Sequence, residues 1–75
     1  MNKDIIDIAA QTMHITFEDA QKHCKAIDGI NAFYFWNPIR GGLAVIVSEG
    51  GEKLAATSSI SYEKHLQAFL NGKRN

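Results

Sequence analysis

Ala32-Phe33-Tyr34-Phe35-Trp36, Asn37-Pro38-Ile39-Arg40-Gly41-Gly42 and Leu43-Ala44-Val45-Ile46-Val47 follow one another in the stretch that decides the fold. Aromatic and β-branched residues suit a pleated, partly buried surface, so the outer two segments read as strands. Asn-Pro starts a turn and paired glycines accept backbone angles that other residues resist, so the middle segment reverses the chain. Glu49-Gly50-Gly51-Glu52 is a second reversal, and Lys53 to Ser59 returns as another strand. Residues 32–59 thus predict a three-stranded antiparallel meander.

Helices flank it. Thr16 has cap chemistry with Asp19 three residues on, and Ile15 stands where a hydrophobic staple packs. Phe17, Ala20, Cys24 and Ile27 recur at helical steps, predicting a helix over Thr16–Ile27, with Gly29 free to adopt positive φ and end it. Ser61 caps a second helix over Tyr62–Asn71, whose stripe is Tyr62, Leu66, Phe69 and Leu70 and whose stop is Gly72. Ile6, Ala9, Ala10 and Met13 share a face, predicting a short helix over Lys3–Thr12. The expected fold is α+β, in the order α-α-β-β-β-α, with the Thr16 and Ser61 helices packed on one face of the sheet.

Register decides which side chains that arrangement leaves uncovered. A tip at Gly50-Gly51 pairs Val47 with Leu54, Val45 with Ala56 and Leu43 with Ser58 on the core face. Ala44, Ile46, Ala55 and Thr57 then take the other face. A one-residue slip in the longer turn exchanges Phe33 and Phe35 for Tyr34 and Trp36 beside Ile46. Either way two aromatics join Ile46 on a face that short helices leave open, and an apolar face of that kind reads as an interface.

A chain of 75 residues is expected to be one domain, residues 1–75, with a small core. Eight basic residues cancel eight acidic ones, so there is no overall electrostatic footprint for nucleic acid. Cys24 is the only cysteine, which excludes a disulfide within the chain and fits a reducing compartment. The first residues lack the basic and long apolar regions of a secretory signal, and no stretch has the length of a membrane span. The expected location is the cytoplasm, with no membrane partner.

Candidate sites weigh as follows. In Trp36–Gly42, Trp36 and Arg40 are residue types that anchor protein interfaces, although the same segment is explained by turn chemistry, with Arg40 stacked on Trp36. His23 and Cys24 suggest a base and a nucleophile, but adjacent helical positions diverge and Cys24 lies on the apolar stripe, so the thiol reads as core. Ser61-Tyr62-Glu63-Lys64 matches an S-x-x-K acyl-transfer pattern without its companion motifs; Ser61 is better read as a cap. Thr57, Ser58 and Ser59 read as an exposed strand end. His14 falls at a helix junction, and His65, off the Leu66/Phe69 stripe, reads as solvated or at a boundary. His14, His23 and His65 have no metal-ligand spacing, so neither metal nor cofactor is expected.

From Thr16 to Asn71 the helix–strand–strand–strand–helix order is similar to that of double-stranded-RNA-binding domains. The likeness is topological: those domains begin their last helix with several lysines, where this chain has Ser61-Tyr62-Glu63-Lys64. The leading expectation is therefore a non-catalytic interaction module, binding a protein or self-associating as a homodimer through the open sheet face and the Trp36–Gly42 turn. Tyr34, Trp36, Arg40 and Ile46 are its expected contacts. The alternative is nucleic-acid binding through Lys22, Lys25, Arg40, Lys73 and Arg74, provided these cations converge.

Overall fold

In the computed structural model, which describes residues 3–38, 42–57 and 59–75, a meander of antiparallel strands carries helices on both faces. The order is α1 (Lys3–Met13), α2 (Phe17–Lys22), β1 (Cys24–Ala26), β2 (Ala32–Phe35), β3 (Leu43–Ser48), β4 (Lys53–Thr57) and α3 (Tyr62–Leu70). The fold is α+β, as the sequence predicts, but the sheet has four strands in the order β1-β2-β3-β4.

The added strand comes from the end of the expected Thr16–Ile27 helix. Thr16 does cap α2, its hydroxyl accepting from Asp19 N–H at 3.1 Å. Yet α2 stops at Lys22, and Cys24, Lys25 and Ala26 pair with Phe35, Tyr34 and Phe33. Six residues make a marginal helix, whereas strand pairing satisfies backbone groups along the β2 edge and packs side chains on both faces. Gly29 adopts the anticipated positive φ, +84°, but uses it to turn β1 into β2. Asp28-Gly29 between two apolar runs is itself a hairpin signal.

At the β3–β4 tip, Gly51 takes φ +91°, its N–H donates to Ser48 O at 3.0 Å, and Ser48 N–H donates to Glu52 O at 2.8 Å. This is a turn closed by a left-handed residue, which lengthens the loop relative to a two-residue Gly50-Gly51 tip. Register consequently differs by one residue from that expected: Val47 pairs with Lys53, Ile46 with Leu54, Val45 with Ala55 and Leu43 with Thr57. Leu54 moves to the face of Ile46, and Tyr34 pairs with Ile46 on that same face.

Both faces therefore have a core. Ile5, Ile6, Ala9, Ala10 and Met13 of α1, with Ala20 of α2, pack on Phe35, Val45 and Val47. Phe69, Leu66 and Ala68 of α3 pack on the opposite face, against Ile46, Leu54, Ala32 and Ile27. Helices on one face was thus the wrong arrangement. The continuous apolar run Ala44–Val47, buried throughout, is what a strand covered on both sides requires. Burying a side chain the size of Phe35, Ile46, Val45 or Val47 contributes about 1.5–3 kcal/mol each.

Helix ends follow local rules. α1 stops at His14, which takes φ +58° while Ile15 N–H donates to Ala10 O at 3.0 Å. Ser61 caps α3 by accepting from Lys64 N–H at 3.3 Å. Gly72 (φ +92°) ends it, with Lys73 N–H donating to Ala68 O at 3.1 Å and Gly72 N–H to Phe69 O at 3.0 Å. Among the described residues, no helix is long and apolar enough to cross a membrane.

Candidate interaction surface

Alternation along β2 puts Tyr34 on the α3 side of the sheet, and Trp36, just past the strand, stacks beside it with ring centroids 6.2 Å apart. Trp36 N–H donates to His23 O at 3.0 Å, which ties this residue to the start of β1. Ser61 sets the start of α3 so that Tyr62, its first residue, meets Tyr34 edge to face at 4.7 Å. Lys25, paired with Tyr34 in the ladder, extends its Nζ to 4.1 Å from the Tyr62 centroid and 5.9 Å from that of Tyr34. His23 meets the Trp36 ring edge-on at 5.7 Å. The result is a continuous surface of rings and one cation, running from β1 across β2 to the first turn of α3. Trp36 keeps 36% of its area exposed.

Burial, and secondly the neighbouring Tyr62 phenol, push the Tyr34 hydroxyl above its ordinary range. Tyr34 stays neutral at physiological pH, and among the described residues Lys25 is the cation set directly against the Tyr34 and Tyr62 rings.

Tyr34 and Trp36 are thus brought together. Ile46 is not part of this surface: it is fully buried beneath α3, because that helix covers the face expected to be open. Arg40 lies outside the described residues, as do Ile39 and Gly41 of the same turn and Ser58 of the β4–α3 segment. Asn37 of the turn serves α1, its Nδ2 donating to Met13 O at 3.2 Å.

Lys25, Tyr62 and His23 are members that sequence reasoning did not assign to this surface, Lys25 having been placed only in the nucleic-acid alternative, and the buried His65 lies beneath it. Lys25 and His23 were hidden by the extended helix, and the Asp28-Gly29 hairpin signal would have placed Lys25 opposite Tyr34. His65 is 2% exposed rather than solvated, a correction that comes from where α3 docks. Its Nε2–H donates to Leu54 O at 2.7 Å, since a carbonyl only accepts, and its ring lies 5.8 Å from Tyr34. Nδ1 of the same ring is buried with no hydrogen-bond partner.

His23 and Cys24, the pair of reactive residue types adjacent in sequence, each have a structural contact. His23 donates Nδ1–H to Asp19 O at 2.8 Å and faces Trp36. Cys24 instead belongs to the α1-side core, half-buried rather than wholly enclosed, and burial raises its thiol above the ordinary range. Among the described residues, no three His, Cys, Asp or Glu side chains gather as a metal site.

The four described cations of the nucleic-acid alternative do not converge. Lys25 is on β1 at one sheet edge with Lys22 just before it, while Arg74 lies over Phe69 and near Glu52 beside β4 at the other. Three inter-strand spacings, roughly 14 Å, separate those edges. The expected double-stranded-RNA-binding order also fails, since four strands rather than three lie between α2 and α3. No protein-family model, curated protein or solved structure matches this chain.

Proposed function

We propose that this chain is a non-catalytic interaction module that docks a protein partner on the Trp36–Tyr34–Tyr62–Lys25 surface. The observation that carries this reading is the stacked Tyr34–Trp36 pair flanked by Lys25, with Trp36 still a third exposed after folding. Rigid aromatic rings bury large areas at small entropic cost, which is why they concentrate binding energy at protein interfaces. Lys25 held against the rings favours a partner that brings a carboxylate to the rim of an apolar contact. Arg40, four residues after Trp36 in the sequence, is the second charged anchor in this proposal.

A non-catalytic role is supported by the engagement of Ser61 as a cap and of His23 Nδ1 in a backbone bond. A single half-buried thiol suits a reducing, cytoplasmic setting. Nucleic-acid binding is supported less, because phosphate recognition draws on several converging cations.

The test compares affinity capture by the wild type, Trp36→Ala and Lys25→Glu from cells that make the protein. A protein retained by the wild type and lost by both folded variants supports the reading. Equal retention by all three removes it. Retention of RNA or DNA at physiological ionic strength, falling steeply as salt is raised, would instead promote the nucleic-acid alternative.

A further inference from the structure

A single residue closes the outer edge of β4. Asn75 donates its backbone N–H to Lys53 O at 3.0 Å and its Nδ2–H to Ala55 O at 3.0 Å, and its Oδ1 accepts from Ala55 N–H at 2.9 Å. A carboxamide presents the same donor and acceptor as a peptide group, so Asn75 occupies the place of a peptide from a neighbouring strand. The segment leading to it is held in turn. Gly72 directs the chain off α3, and Arg74 stacks 3.6 Å from the Phe69 centroid and donates Nη1–H to Phe69 O at 2.8 Å. Its Nε is 3.9 Å from a Glu52 carboxylate oxygen. At the opposite edge β1 is three residues long, and shortness alone discourages pairing there.

We propose that the outer edge of β4 is a strand-addition site for a second copy of this chain, with Asn75 as the plug that controls it. The Asn75 bonds show that Ala55 directs both backbone groups outward, so Lys53 and Thr57 do likewise by alternation. An antiparallel second copy, with its own Ala55 opposite this one across a two-fold axis, exchanges two bonds there. Lys53 then faces Thr57 of the second copy on either side. Every outward donor meets an acceptor, no like charges oppose, and Ala55 and Ala56 allow close approach. The second copy needs the two Ala55 groups and the Lys53 O that Asn75 already satisfies, so plug and partner exclude each other. This site is independent of the aromatic surface, which lies at the β1–β2 side of the sheet.

Sedimentation equilibrium of the wild type, Asn75→Ala, Asn75→Asp and Asn75→Ala with Ala55→Pro tests the proposal. Asn75→Ala is expected to tighten dimerisation at least about tenfold, because the two side-chain bonds to Ala55 are removed from both copies while only the backbone bond to Lys53 O remains to compete. Asn75→Asp, which cannot donate to Ala55 O, should shift it in the same direction. Proline at residue 55 removes the outward N–H but no bond to β3, and should return the chain to monomer. A monomeric Asn75→Ala at millimolar concentration overturns the proposal, and so does undiminished dimerisation with proline at 55. Should Asn75→Ala unfold while Asn75→Asp stays folded and monomeric, Asn75 is a structural strut and the proposal fails; a folded, dimerising Asn75→Asp sustains it.

Discussion

Tyr34 of β2 meets Tyr62 of α3 edge to face, with centroids 4.7 Å apart and planes at 85°. The contact joins a strand to a helix that begins more than twenty residues later and fixes where α3 crosses the sheet. A double-mutant cycle with Tyr34→Leu and Tyr62→Leu is expected to return a coupling of about 0.5–1.5 kcal/mol. Urea titrations of the four proteins measure it. Strict additivity would show that the rings do not touch in solution.

His65 fills space between α3 and the sheet while donating to Leu54 O. His65→Ala removes that bond and leaves a void, so a loss of about 2–4 kcal/mol is expected. Denaturant midpoints at constant m-value are the readout. A loss within experimental error would mean that α3 is not docked there.

His14 holds φ +58° at the end of α1, a conformation that glycine adopts without steric cost. His14→Gly is therefore expected to stabilise the fold by about 0.5–1 kcal/mol after the added unfolded-state entropy is set against the relieved strain. Thermal unfolding resolves an effect of that size, and destabilisation would reverse the assignment.

Gly42 illustrates the opposite constraint. A β-carbon there would lie 2.4 Å from Nδ2 of Asn37, the atom that donates to Met13 O. Gly42→Ala must displace Asn37 and break that bond, costing about 1–3 kcal/mol. Asn37→Gly, which also removes the Asn37 β-carbon that would lie 2.9 Å from the new one, should cancel most of the added penalty when combined with Gly42→Ala. Full additivity in that pair would show that Asn37 is not the obstacle.

Cys24 and Tyr34 both hold their protons more tightly when folded, chiefly through burial. Above the ordinary ionisation ranges, near about 8.5 for a thiol and about 10 for a phenol, the unfolded chain has lost protons that the folded chain retains. Their contribution to stability is thus fully present below those ranges and declines as pH rises through them. Urea midpoints from pH 7 to 10.5 should fall, and Cys24→Ala with Tyr34→Phe should flatten the decline. Iodoacetamide should also alkylate native Cys24 more slowly at pH 8 than it alkylates the unfolded chain. Equal rates would mean an open thiol.

Local chemistry determined much of this protein directly. Ser61 and Gly72 bound α3, Thr16 starts α2, and the runs Ala32–Phe35 and Leu43–Val47 are strands, because capping bonds, φ preferences and side-chain shape act within a few residues. The helical spacing of Phe17, Ala20, Cys24 and Ile27 was equally visible, yet only its first half became helix. Backbone pairing between Cys24–Ala26 and Phe33–Phe35, whose partners are distant in the chain, outweighed the local periodicity. Tyr34 and Trp36 were legible as surface candidates, while the partners Lys25 and Tyr62 were not, since their proximity is a consequence of β1 joining the sheet and α3 docking on it. Tertiary packing likewise decided that α3 lies across the sheet from α1, burying Ile46. A left-handed Gly51 shifts the β4 register by one residue, and in a strand one residue exchanges one face for the other.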